Sequence, residues 1–405
     1  MNHRPSDLDL FAPCDSPAHG VTRREVIVTT SLAACFACSR RRATGFPGSA
    51  LITLAGENSL AFVDLNTFHL SHKLDLGSPP SAVSADQERA YVLTPATGTV
   101  HLVDPDRYQT IGAVHLGARI DLLRLTPTRG RIVGASQGHR ELVIADVLTR
   151  KLLRRVKLEA SPIDIDIPLH PKSGRIRAAI SEGSSGVVEL VDLETGSQRK
   201  CQLAAQLGSI RFRDDGRILF VANYSDRTLV VLDGETLQTI SELSLPLRPE
   251  NLCFTADQGQ LFVSGSGMDG IAIVFVFDTI EVDQTVLAGR APGAMACSAS
   301  PKYLFVASRT GSEISILNID SRKTIALAQA GERPSRIVIT PDQQYALILD
   351  EGSGDMSAIR IPSIRGNRLR SPGIATASSS GGASLFAMIP VGQAPSDIAI
   401  FQQRR

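Results

Sequence analysis

From Leu51 onward the apolar residues come in short runs rich in Val, Ile and Leu, broken by Gly, Pro, Asp and Ser. Runs of four to seven residues at a spacing of about ten predict strands joined by tight turns. No stretch carries a helical period. The runs group in fours, and the group recurs about every 42 residues, the mark of a repeat architecture. The second run of each group ends in hydrophobic-Asp, at Asp64, Asp104, Asp146, Asp192, Asp233, Asp278 and Asp320, and an eighth group carries Pro362 in that place. Each Asp is read as a turn residue whose carboxylate accepts backbone N–H bonds.

A ring closed on itself removes the free edges of such a repeat. The predicted fold is all-β, a propeller of four-stranded blades. Eight units predict eight blades; seven remains open because the eighth unit is degenerate. Runs that begin near Pro, such as Pro334 to Thr340, read as the innermost strands. The chain then opens on the second strand of its first blade, and Ser396–Ile400 must return to complete that blade. Residues 50–401 form the propeller, 365–383 a flexible Ser, Gly and Arg-rich insertion in its last blade, and 402–405 a tail.

The second strands include Phe220-Val-Ala-Asn223, Tyr91-Val-Leu-Thr94, Phe305-Val-Ala-Ser308 and Phe262-Val-Ser-Gly265. The following strands include Thr99-Val-His-Leu-Val-Asp104 and Thr228-Leu-Val-Val-Leu-Asp233. Together they resemble the YVTN-repeat β-propellers, over nearly all of residues 50–401. The third and fourth units depart from the signature at Arg131-Ile-Val-Gly and Arg177-Ala-Ala-Ile. The resemblance implies a fold rather than an activity, because the signature residues pack and turn. Its relatives include haem d1-binding, quinoprotein-like and seven-bladed lactonase-type propellers.

The first fifty residues have a different character. Arg23 and Arg24 precede a short apolar stretch, Val26 to Ala34, and resemble a twin-arginine export signal. Leu32-Ala-Ala-Cys35 resembles a lipobox, in which the Cys35 sulfur takes the lipid after cleavage. Residues 1–34 are thus read as a signal peptide and 35–49 as a flexible tether. The expected setting is the cell envelope, facing the periplasm or exterior, with the membrane held through the lipid anchor.

Composition narrows the chemistry. The net charge is +1, so no general attraction to nucleic acid is expected. Trp is absent, which argues against stacking platforms and quinone or tetrapyrrole pockets. Alternating positions of the inner strands carry Arg124, Asp164, Asp166, Arg211, Arg336 and Asp397. They read either as a funnel recognising an anionic or zwitterionic ligand or as a self-neutralising ion-pair network. His69 and His72 fall on opposite faces of one strand, and no metal site, catalytic group or cofactor is predicted. Cys201, Cys253 and Cys297 lie in separate units, and their spacing implies no disulfide. The expectation is a monomeric, non-enzymatic binding or scaffold propeller for a protein or small ligand. A cofactor-binding or enzymatic propeller is the alternative.

Overall fold

The computed structural model describes residues 45–403 apart from 129, 204–205, 278 and 365–382. The signal peptide, Arg23, Arg24, Cys35 and almost all of the insertion lie outside the described residues. The rest forms eight four-stranded antiparallel sheets arranged as the blades of a β-propeller. Each blade runs from an inner strand outward, with neighbours in sequence paired. Blade one is the exception, with Gly48–Leu54 pairing on one side with Ser59–Asp64 and on the other with Pro395–Gln402.

The core is not central. Eight apolar clusters occupy the eight gaps between neighbouring blades. The second and third strands of each blade are buried on both faces, so they read as continuous apolar runs such as Leu229 to Leu232. The outer strands alternate or are largely exposed, as Lys151–Lys157 is.

The fold starts earlier than the sequence suggested. Phe46 is buried in the cluster between blades eight and one, and the first strand begins at Gly48. Residues 46–49 therefore belong to the propeller rather than to a tether. Gly48 is needed there, since a Cβ would lie 2.3 Å from the Phe401 carbonyl oxygen. Gln402, expected in the tail, is the last residue of the closing strand.

The turn aspartates act as expected in the first five units. Asp146 Oδ1 accepts the N–H groups of Leu148 and Thr149 at 2.8 and 2.9 Å, and Asp233 Oδ1 accepts those of Glu235 and Thr236. Each turn ends on a residue of positive φ four places on, among them Phe68, Tyr108, Arg150 and Leu237. The carboxylate offsets the strain of that left-handed residue. Units six and seven differ. The strand of unit six ends at Phe275, with Asp278 outside the described residues, and that of unit seven ends at Asn318 rather than at Asp320. Asn318 Oδ1 takes the carboxylate's place by accepting the Ser321 N–H at 2.7 Å. In unit eight the strand ends at Arg360, before the short turn that contains Pro362.

Closure rests on one long-range ladder. Ile52 faces Ile398 and Ala50 faces Ile400. The Asp397 N–H donates to Thr53 Oγ1 at 2.9 Å, and Thr53 Oγ1 also meets Ser396 Oγ at 2.8 Å. Ile398 belongs to the cluster between blades eight and one, Phe401 to that between blades one and two. Removing residues 395–405 would open both, at a cost of about 2 kcal/mol for each large side chain lost, besides the ladder. Such a truncation should abolish the cooperative thermal transition seen by circular dichroism, whereas removing only 404–405 should leave it in place.

Candidate functional site in the central channel

The innermost strand of a blade presents one unpaired edge to the axis of the ring. Its outward N–H groups need acceptors. Three aspartates supply them across the gaps between blades. Asp164 Oδ2 accepts the Ile210 N–H at 3.2 Å, Asp166 Oδ2 the Phe212 N–H at 2.7 Å, and Asp397 Oδ2 the Val83 N–H at 3.0 Å. In each case the donor lies on the inner strand of the next blade.

The arginines complete two groups. Arg124 Nη2 donates to Asp164 Oδ1 at 3.0 Å and Arg211 Nη1 to Asp164 Oδ2 at 2.7 Å. Blades three, four and five are thereby joined by one carboxylate between two guanidiniums. On the other side Arg336 Nε approaches Asp397 Oδ1 at 3.6 Å, an ion pair longer than a hydrogen bond. The Arg336 side chain is 60% exposed, against 14% for Asp164. The six residues expected at the funnel are thus brought together as an inter-blade network in which Arg336 remains the most open group.

Electrostatics follow this geometry. Burial raises the Asp164 carboxyl, but Arg211 and Arg124 outweigh it and hold it below the ordinary aspartate range. Burial pushes Asp166 up to about 6, against the pull of Arg211 and of the Phe212 N–H. Burial also raises Asp397, with Arg336 and the Val83 N–H opposing it. Arg124 acts on Asp397 and Asp166 as well as Asp164, which makes the two groups one field.

Other polar groups link neighbouring blades away from this network. Arg309 crosses from blade seven to pair with Glu250 of blade six. It lies across Gly293, where any Cβ would meet its Cγ at 2.5 Å. The Arg248 guanidinium stands 5.4 Å from the Tyr224 ring centroid. Two glutamates of blade four are fully or nearly buried, Glu182 and Glu189. Glu182 Oε2 accepts the Ala160 N–H and Glu189 Oε1 the Glu159 N–H, both at 2.8 Å, so the pair pins the loop from blade three. Burial and the neighbouring Glu189 push Glu182 up to about 7.

Among the described residues no group of three or more His, Cys, Asp and Glu side chains could hold a metal ion. His69 Nδ1 lies 2.7 Å from the Thr67 carbonyl oxygen, and His72 packs against the Tyr108 and Phe62 rings. The amide-accepting role of the aspartates was missed from sequence. Its signal is the spacing, since each donor or arginine of the triad stands about one repeat from Asp164, at 40, 46 and 47 residues.

No protein-family model matches the chain, and no curated protein matches it. Solved structures share its fold. A functionally unknown protein from Desulfotomaculum acetoxidans DSM 771 is similar over 88% of this chain and 100% of that one, with a TM-score of 0.59 and 12% identity. Dihydro-haem d1 dehydrogenase NirN, solved in complex with DHE, is similar over 90% of this chain and 77% of that one, with a TM-score of 0.65 and 13% identity. Both likenesses establish a propeller and leave the activity to the residues.

Two outcomes follow from the charges. Asp164→Asn should destabilise the protein by about 2–3 kcal/mol in urea denaturation, below the usual range for a buried pair because Arg124 is partly solvated. Glu182 holds its proton when folded and releases it near pH 4.5 when unfolded. Its contribution is therefore complete below that pH and is lost as the pH rises through about 7. Glu182→Gln should raise the melting temperature at pH 8 and leave it nearly unchanged at pH 4.

Proposed function

We propose that the protein is an exported, lipid-anchored propeller of the cell envelope that works by binding, as a receptor or scaffold, rather than by turnover. The observation that carries this reading is the uneven engagement of the channel arginines. Arg124 and Arg211 share Asp164, while Arg336, among the described residues, is held only by a long ion pair and faces solvent. A carboxylate or phosphate entering the channel would meet Arg336 first, in a geometry suited to paired N–H donation. It would compete with one carboxylate, Asp397, whose second oxygen is already bonded to Val83 N–H. The ligand class is a small anion or zwitterion, or an acidic side chain of a protein partner. The leader sequence supports the location, with Arg23 and Arg24 as export signal and Cys35 as the lipid-bearing residue.

The likeness to dihydro-haem d1 dehydrogenase favours one second reading, a propeller that holds a tetrapyrrole. The channel arginines could pair with its peripheral carboxylates. The eight inner strands carry no histidine among the described residues, so they provide no imidazole ligand for its iron. The residues of the channel therefore fit the anion and do not fit the metal.

Thermal-shift titration with succinate, citrate and inorganic phosphate separates the readings. The wild-type protein should gain about 2.7 kcal/mol of stability at a ligand concentration one hundred times its Kd, and Arg336→Ala should lose that gain. A shift that survives Arg336→Ala, or none with any of the three, would remove the channel as the anion site. A visible absorption band in protein purified from its own cell would replace the anion reading with the tetrapyrrole.

A further inference from the structure

Two cysteines from separate repeats meet in the fold. Cys253 lies on the inner strand of blade six, Arg248–Phe254, and Cys297 ends the inner strand of blade seven, Pro292–Cys297. Their Sγ atoms are 3.7 Å apart, and both residues are partly exposed. The junction between blades four and five shows what this place does elsewhere. Cys253 stands at the repeat position of Asp166, and Cys297 at that of Phe212. There the Asp166 carboxylate reaches across and accepts the Phe212 N–H. Between blades six and seven two thiols occupy the corresponding place.

We propose that Cys253 and Cys297 form a dithiol site that is oxidised to a disulfide, tying blade six to blade seven across their inner strands. The oxidant is a donor disulfide, either a small-molecule disulfide or that of a thiol oxidoreductase. The Cys253 thiol gives up its proton, and its sulfur attacks one donor sulfur. The donor S–S bond breaks, and the first donor thiol leaves with that proton. Cys297 then loses its proton, and its sulfur attacks Cys253 Sγ in the mixed disulfide, expelling the second donor thiol. Two cysteines lose two electrons and two protons, and one donor disulfide becomes two thiols. The order follows from the local environment. A hydrogen bond with Cys253, together with burial, raises the Cys297 thiol well above its ordinary range, so Cys297 keeps its proton longer.

The link would close a loop of 44 residues. It would stabilise the ring mainly by restricting the unfolded chain. Cys201, on an outer strand of blade four, has no part in it.

The test uses the full chain with Cys14, Cys35, Cys38 and Cys201 changed to Ser. This variant is incubated with glutathione disulfide, unfolded, alkylated with iodoacetamide and weighed. The expected mass is two hydrogens below that of the reduced chain, with no alkyl group added. Its melting temperature should exceed that of the reduced form by on the order of 5 °C. Adding Cys253→Ser should leave a folded protein whose melting temperature no longer depends on a linked state. Peptide mapping of the oxidised wild-type chain gives a second readout, in which the peptides containing Cys253 and Cys297 should appear joined. Two alkylated thiols, or separate glutathione adducts on each cysteine, would overturn the proposal, as would a wild-type map in which the two peptides run apart.

Discussion

The ring depends on one antiparallel ladder, between Gly48–Leu54 and Pro395–Gln402. Every other blade is continuous in sequence. Blade one is built from both ends of the propeller's chain, and its two neighbours pack against it through Ile398 and Phe401. Without that ladder the two clusters that hold Ile398 and Phe401 open and leave apolar faces exposed. The polar contacts at its edge, Thr53 with Ser396 and the Asp397 N–H, fix the register that puts those side chains on the right faces.

Closure pairs the free edge of Gly48–Leu54 and leaves another problem at the axis. Each inner strand still has an unpaired edge, and water in a narrow channel is one acceptor for it. This chain also uses side chains. Asp164, Asp166 and Asp397 bridge to amides of the following blade, and the arginines balance the charge that this brings. The same residues therefore hold neighbouring blades together and set the field that a ligand would meet. Arg336 departs from this pattern by its exposure, which is why the functional reading turns on it.

Much of the fold was legible in the sequence because a propeller repeats its own punctuation. The pattern of runs, turns and terminal aspartates pointed to eight blades, with seven left open, and to the shared first blade that the structure shows. It slipped where chemistry substituted for the marker, as when Asn318 took the role sought at Asp320. The start of the fold was missed because Phe46 sits among small residues whose burial depends on a partner strand more than 300 residues away. The charged positions on the inner strands were found by alternation along each strand. Their partners were not, because a side chain's reach across a gap between blades is set by the ring rather than by its own strand. The contact between Cys253 and Cys297 was hidden for the same reason.

The shared blade also governs the order in which the molecule can be assembled. A ribosome delivers seven complete blades and three quarters of the remaining one before the final strand exists. Until Phe401 arrives, the growing stack carries sticky surfaces at two ends, and contacts so distant in sequence are slow to form. Such a chain should need a holding chaperone late in synthesis rather than early. Quality control that examines blade one would in effect be examining whether the whole propeller has been made.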